Sequence, residues 1–355
     1  MKVALIGPLL SGKSMLFAAV SGKRAAASGS ASIEEAIVPV PDERFDYMEG
    51  LYQPKKVTAA TIDALDVPGL SFTDEHGRAA ARRLLNKIRT VDMLVLVVRA
   101  FEDTAVAPYK NTVDASRDLA EMKTELLLAD YELISARIEK LEKQIKKPAK
   151  SHNDAAELKL QRKLAECIES EKPLSTAVKT DEEYSMVKSL GFLTLKPIMV
   201  AVNIGENQIN QSFVFGEGFD RSVPLVCISA KLENELAQLD EQSRREFMAD
   251  LGLKSSAIGK FVNGCYKALG LISFLTTGSD ELRAWPIKQG TTAVEAAGKV
   301  HSDIQRGFIR ARTFSFEELK QYGSEKALKA AGKIRLEGKK YVVQDGDIID
   351  FRFNV

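Results

Sequence analysis

An α/β fold on a mostly parallel sheet is predicted by three observations. The apolar run Met1–Ile6 leads directly into Gly7-Pro8-Leu9-Leu10-Ser11-Gly12-Lys13-Ser14, a G-x-x-x-x-G-K-S string with a strand before it and a helix after it. Short apolar or β-branched runs recur at Lys2–Ile6, Ile62–Val67, Met93–Val98, Ile198–Val202 and Leu225–Ile228, spaced by helix-length segments. The second of these runs closes on Asp66-Val67-Pro68-Gly69. Together they describe a P-loop NTPase fold.

The first strand delivers a phosphate-binding loop. Gly7 and Gly12 permit backbone conformations that turn successive N–H groups toward one anion. Lys13 brings a positive charge for the β- and γ-phosphates, and the Ser14 hydroxyl is a hard oxygen ligand suited to Mg²⁺. The helix expected from Ser14 through Met15 to Val20 adds the positive end of its dipole. Leu10, Ser11, Gly12, Lys13, Ser14 and Met15 are therefore the expected nucleotide-contacting residues of the loop. At the end of the Ile62–Val67 strand, Asp66 is placed to steady Mg²⁺ and Gly69 to meet a γ-phosphate with its amide. Asp-x-x-Gly alone is a weak string, and its position at a strand end gives it meaning.

Two later strands carry the base loops. Asn203-Ile204-Gly205-Glu206 follows Ile198–Val202, where a guanine-binding protein carries Asn-Lys-x-Asp. Ile204 removes the Lys stem and Glu206 moves the carboxylate by one methylene, so guanine recognition is compromised and adenine is expected. Ser229-Ala230-Lys231 is expected to close over the base. Taken alone, Asn203–Glu206 also reads as an ordinary strand-end turn.

Between these blocks, Leu127, Tyr131, Ile134, Ile138, Leu141 and Ile145 recur at steps of four and three with charged residues between. Leu160, Leu164 and Cys167 repeat the pattern after the Lys147-Pro148 breaker. This predicts an antiparallel coiled-coil hairpin over 120–185, inserted in a nucleotide-binding domain of 1–119 and 186–275. Two amphipathic helices lying flat on that domain are the alternative. From 276 to 355 the texture becomes that of a small α+β module. Strands are expected at Arg283–Ile287, Ala311–Phe316, Lys340–Val343 and Ile348–Phe353, with a helix over Val294–Gln305 and a tight turn at Asp345-Gly346-Asp347.

A chain of 355 residues calls for two or three domains. Its net charge of +1 gives no global attraction to nucleic acid, so any such binding must use a local patch. Arg306, Arg310, Arg312, Lys333, Arg335, Lys339 and Lys340, beside Phe308 and Tyr341, are the candidates for one, against the reading of a solvated surface over core aromatics. Cys167, Cys227 and Cys265 lack C-x-x-C spacing and His76, His152 and His301 are dispersed, which argues against a disulfide framework or metal centre. No apolar stretch reaches membrane-spanning length, and the expectation is a cytoplasmic monomer without a membrane partner.

The motifs G-x-x-x-x-G-K-S, D-x-x-G-L, N-x-x-E and S-A-K-L-E, in this order, resemble those of the Obg-related YchF family, the Obg-like ATPases. The resemblance extends through Arg99–Asp103, Thr124-Glu125-Leu126, Phe192–Pro197 and Glu246-Phe247-Met248, and is densest at Arg283-Ala284-Trp285, His301-Ser302-Asp303, Gly307–Ala311 and Tyr341–Asp347. It implies a G domain interrupted by a coiled-coil hairpin and followed by a TGS-type, ubiquitin-like β-grasp domain. It also implies ATP hydrolysis in preference to GTP, and association with ribosomes or RNA through the C-terminal domain and hairpin.

Several positions depart from the family pattern. Leu10 replaces an Asn associated with potassium, and an apolar side chain cannot ligate an ion. The switch Thr that would join Ser14 and Asp66 on Mg²⁺ matches Ser30, with Ser32 as a neighbour. A His of the family falls at Pro108, which has no side-chain proton acceptor, whereas Leu70 fits the family, which carries a hydrophobic residue there, and cannot orient water. The expectation is a slow Mg²⁺-dependent ATPase used as a conformational switch. A non-hydrolysing or vestigial nucleotide-binding adaptor, or a GTPase with an altered base loop, are the alternatives.

Overall fold

The computed structural model describes residues 1–23, 32–146, 152–211, 213–216, 219–253, 255–278 and 280–354. The chain divides into two compact units, one of residues 1–36 and 63–261, the other of 37–62 and 262–355. Strands β1 (Lys2–Ile6), β2 (Glu34–Pro39), β3 (Lys56–Thr58), β4 (Thr61–Asp66), β5 (Met93–Arg99), β6 (Ile198–Asn203) and β7 (Leu225–Ile228) precede β8 (Leu271–Thr277), β9 (Glu281–Lys288), β10 (Phe308–Ser315), β11 (Arg335–Glu337) and β12 (Asp347–Phe353).

One sheet runs in the order β2-β4-β1-β5-β6-β7. β1 pairs in parallel with β4 and β5, β5 with β6, and β6 with β7. Every residue of β5 is buried. A central parallel strand covered on both faces must be apolar throughout, which is why Met93–Val98 reads as an unbroken run. Helix α1 (Lys13–Ser21) leaves the end of β1 and buries Leu16 and Phe17. It is followed by α2 (Glu43–Tyr52), α3 (Glu75–Lys87), α4 (Ala115–Ile145), α5 (His152–Glu169), α6 (Asp181–Val187), α7 (Ala230–Leu236), α8 (Glu241–Asp250), α9 (Ala257–Ala268) and α10 (Ala293–Val300). α3 and the first turns of α4 share a core with this sheet, through Ala81, Leu85, Ala115, Leu119, Met122, Leu126 and Ala129.

Further along, α4 and α5 run antiparallel, with Tyr131 bonded to Glu169 and Arg137 bidentate to Glu157. Ile134, Leu160, Leu164 and Ile168 form the seam, and Leu174, Val187 and Phe192 close over it. The hairpin limit placed at 120 thus falls inside α4, because one apolar stripe serves two different partners in succession. The connecting residues 147–151 lie outside the described residues.

In the second unit, the sheet order is β11-β10-β12-β8-β9-β3. β8/β9, β10/β12 and β10/β11 are antiparallel, while β12/β8 and β3/β9 are parallel. With α10 on a core of Phe274, Ile287, Phe308, Ala311, Ile349 and Phe351, this is a β-grasp arrangement with β3 added at its edge. β8 starts ahead of the boundary drawn at 276, and residues 37–62 join the same unit. Lys340–Val343 forms only an isolated bridge, Thr292 to Val342, and the edge strand is Arg335–Glu337 instead. The expected helix over Val294–Gln305 is two helices broken at His301, whose backbone is extended.

Candidate nucleotide-binding site

The phosphate loop is held by its neighbours on both sides. Leu9 N–H donates to the Leu70 carbonyl and Leu70 N–H to the Gly7 carbonyl, each at 3.0 Å, so residues 67–70 continue the β1/β4 pairing along the loop. A side chain on Gly7 would strike the Val97 carbonyl. Gly12 has a φ of +83° and caps α1, and a Cβ there would overlap Asn203 Nδ2. The glycine is required both by its left-handed backbone and by close approach. Leu10, at φ +61°, occupies the same region with a side chain that is exposed, as is that of Met15.

Lys13 and Asp66 are both buried, and their side chains meet, Nζ to Oδ1, at 3.1 Å. Ser14 lies in the first turn of α1 and is partly buried. Ser11 is buried with its hydroxyl unpartnered, an orphaned polar atom at the mouth of a helix, where an anion would satisfy it. These oxygen donors and the one ammonium fit a phosphate with a hard divalent cation. Ser30 lies outside the described residues. Gly69 packs against Leu9, which stands where a Gly69 Cβ would be.

Asn203 bridges the two loops that the sequence reading kept apart. Its Nδ2 donates to the Ser11 carbonyl at 3.0 Å, and its Oδ1 accepts from Ala230 N–H at 3.0 Å. The donor and acceptor on opposite sides fix the orientation of the amide. Glu206 opens the turn after β6 and forms an ion pair of 2.9 Å with Lys231 in α7. The carboxylate raises the Lys231 pKa above its ordinary value, mainly through that hydrogen bond. Ser229 caps α7, its hydroxyl accepting from Leu232 N–H.

Other groups were not singled out by chemistry. Arg99 at the end of β5 is buried and donates to the carbonyls of Phe101, Asp103, Val106 and Ala107, which shapes the loop after the central strand. Its guanidinium stacks on Phe101, whose ring lies beside Gly12. An Arg closing an apolar strand was the available signal. Leu70 is fully buried among Ile6, Val67 and Phe72, so it belongs to the core. Pro108 precedes Tyr109, whose hydroxyl accepts from Phe72 N–H and donates to Glu121. Burial raises the Tyr109 pKa and keeps it a donor.

In the C-terminal unit three of the seven basic residues of the candidate patch are engaged by local partners. Arg312 pairs with Glu325 and Asp350, Arg335 with Glu318, Glu337 and Asp347, and Arg306 with Asp303. Phe308 is core, and the Tyr341 hydroxyl donates to Asp347 at 2.7 Å. The Phe308 ring is therefore not presented for stacking. No described helix is long and apolar enough to cross a membrane.

Comparison with known proteins covers the whole chain. The family model YchF-GTPase_C, described as a protein of unknown function (DUF933), matches residues 271–354, beginning at the first residue of β8. The ribosome-binding ATPase YchF of Bacillus subtilis (strain 168) is 38% identical over 97% of this chain and 96% of its own. Obg-like ATPase 1 of Oryza sativa subsp. japonica is 35% identical over 100% and 92%. A solved structure described as the Schizosaccharomyces pombe YchF GTPase superposes with a TM-score of 0.85 at 31% identity, over 99% of this chain and 97% of that one. With full-length relatives at these identities, the chain belongs to the YchF family.

Proposed function

We propose that this protein binds a nucleoside triphosphate with Mg²⁺ and is a slow ATPase that works as a ribosome-associated conformational switch. The observation that carries the reading is the buried Lys13–Asp66 pair at the head of α1, beside the unpartnered Ser11 hydroxyl. On this reading an incoming triphosphate takes Lys13 from Asp66, since phosphate oxygens carry more charge than one carboxylate. Backbone N–H groups of Leu10 to Met15 and the α1 dipole then hold the β- and γ-phosphates. Ser14 and Asp66, with Ser30, hold Mg²⁺, which supplies charge neutralisation at the phosphates. Gly69 offers an amide to the γ-phosphate, and Asn203, Glu206, Ser229, Ala230 and Lys231 surround the base.

The names of the relatives, ribosome-binding ATPase and Obg-like ATPase, support ATP and the ribosome as ligands. The α4/α5 hairpin and the TGS-like C-terminal domain, with 120–185 and 276–355 as their cores, are the surfaces assigned to ribosome or RNA. A cytoplasmic monomer is the corresponding state. Leu70 and Pro108 favour a second reading, a nucleotide-binding adaptor that does not hydrolyse, because neither side chain can activate water. Titration of ATP with and without Mg²⁺ tests the site itself. Binding should require Mg²⁺ and weaken at least tenfold in Lys13→Ala, in line with the loss of a charge-assisted contact. Equal affinity in wild type and variant would remove Lys13 from the site.

A further inference from the structure

The segment that carries Gly69 is held at two points. On one side is the phosphate loop: Leu70 N–H donates to the Gly7 carbonyl, and the Leu70 carbonyl accepts from Leu9 N–H, each at 3.0 Å. Two residues on, Phe72 N–H donates to the Tyr109 hydroxyl at 3.0 Å, across 37 positions of sequence. Phe72 is buried, so without this partner its N–H would stand unsatisfied in the core. Tyr109 is itself fixed. It is buried, and its hydroxyl donates to Glu121 Oε2 at 3.3 Å. The other Glu121 oxygen accepts from Lys110 Nζ at 2.6 Å, and Arg117 in α4 donates to the Tyr109 carbonyl at 3.0 Å. With its one proton turned to a carboxylate, the hydroxyl can meet Phe72 only as an acceptor.

We propose that Tyr109 is a positioning residue of the nucleotide site, which sets the place of the Gly69 amide by holding the backbone at Phe72. The role rests on the nucleotide site proposed above, in which that amide meets the γ-phosphate. Pro108 brings no group to the chemistry, and the loop after β5 contributes the neighbouring hydroxyl as a brace instead. An amide placed in advance needs no ordering when the anion arrives, which is how fixed donors favour charge at one point. A diphosphate does not extend to Gly69, so the brace bears on the triphosphate alone. Loss of one such hydrogen bond shifts an equilibrium by about two- to tenfold.

Tyr109→Phe keeps the ring and removes only the hydroxyl. In the full chain with Mg²⁺, the variant should bind a non-hydrolysable ATP analogue about two- to tenfold more weakly than wild type. Its affinity for ADP should stay within about twofold. A packing defect spread through the site would weaken both nucleotides alike, so the ratio of the two affinities separates positioning from a merely structural role. Hydrogen exchange of the nucleotide-free protein is the second readout, and the Phe72 amide should exchange about two- to tenfold faster in Tyr109→Phe. An unchanged affinity ratio, or unchanged exchange at Phe72, with circular dichroism as in wild type, overturns the role of Tyr109 and leaves the nucleotide site standing. A wild type that binds neither nucleotide overturns the site and the role together.

Discussion

Asn203 is buried and bonded on both faces of its amide, to Ser11 O and to Ala230 N–H. Replacement by Ala leaves a carbonyl and an N–H unpaired in an enclosed space. The expected loss is about 2–4 kcal/mol, from two desolvated groups without partners. Urea unfolding followed by circular dichroism measures it, and a change below about 0.5 kcal/mol contradicts the staple. The sequence pointed to this residue through its place at the end of β6, but its tie between Ser11 and Ala230 was not legible, because both partners are distant in sequence. Lys13 and Ser14 were legible because a strand, a glycine pair and a helix start define the loop from local spacing alone, and Asp66 because its string closes a strand. Leu70 was recognised as unable to orient water. Its place in the core depends on Phe72 and on strands distant in sequence.

Among the elements, α4 shows what periodicity can and cannot carry. Its apolar stripe was readable, yet the stripe gives no sign that Leu119, Met122 and Leu126 face the sheet while Ile134 faces α5. The junction is marked by Asp130, fully buried, which accepts from Arg89 at 2.7 Å, from Leu193 N–H and Thr194 N–H, and from the Thr194 hydroxyl. This ties the base of the hairpin to the segment entering β6. Asp130→Asn puts an NH₂ among four donors and removes the charge facing Arg89. A loss of about 3–5 kcal/mol is expected, as for a broken buried pair. Urea unfolding of the full chain checks it, and a stability within about 1 kcal/mol of wild type would mean that the hairpin is anchored elsewhere. The pairing of β3 with β9 was not legible, because Lys56 and Glu281 are far apart in sequence and three residues carry too little pattern. Lys340–Val343 misled through local composition, while the shorter Arg335–Glu337 took the edge of the sheet by pairing with β10.

At the scale of the molecule, the order of motifs proved more informative than any one of them. Each string is short, but relatives of 34–38% identity match the chain over nearly its whole length, from phosphate loop to C-terminal module. The family places this chain among proteins named both ATPase and GTPase. What distinguishes an enzyme from an adaptor here is whether a site with Leu70 in the core and Pro108 in the neighbouring loop still cleaves the terminal anhydride bond. Single-turnover hydrolysis of ATP with excess protein and Mg²⁺, compared with Lys13→Ala, measures that directly. Wild type should release phosphate slowly, at least tenfold faster than Lys13→Ala, since that lysine stabilises charge on the transferred group. Equal rates in the two folded proteins would contradict the ATPase account.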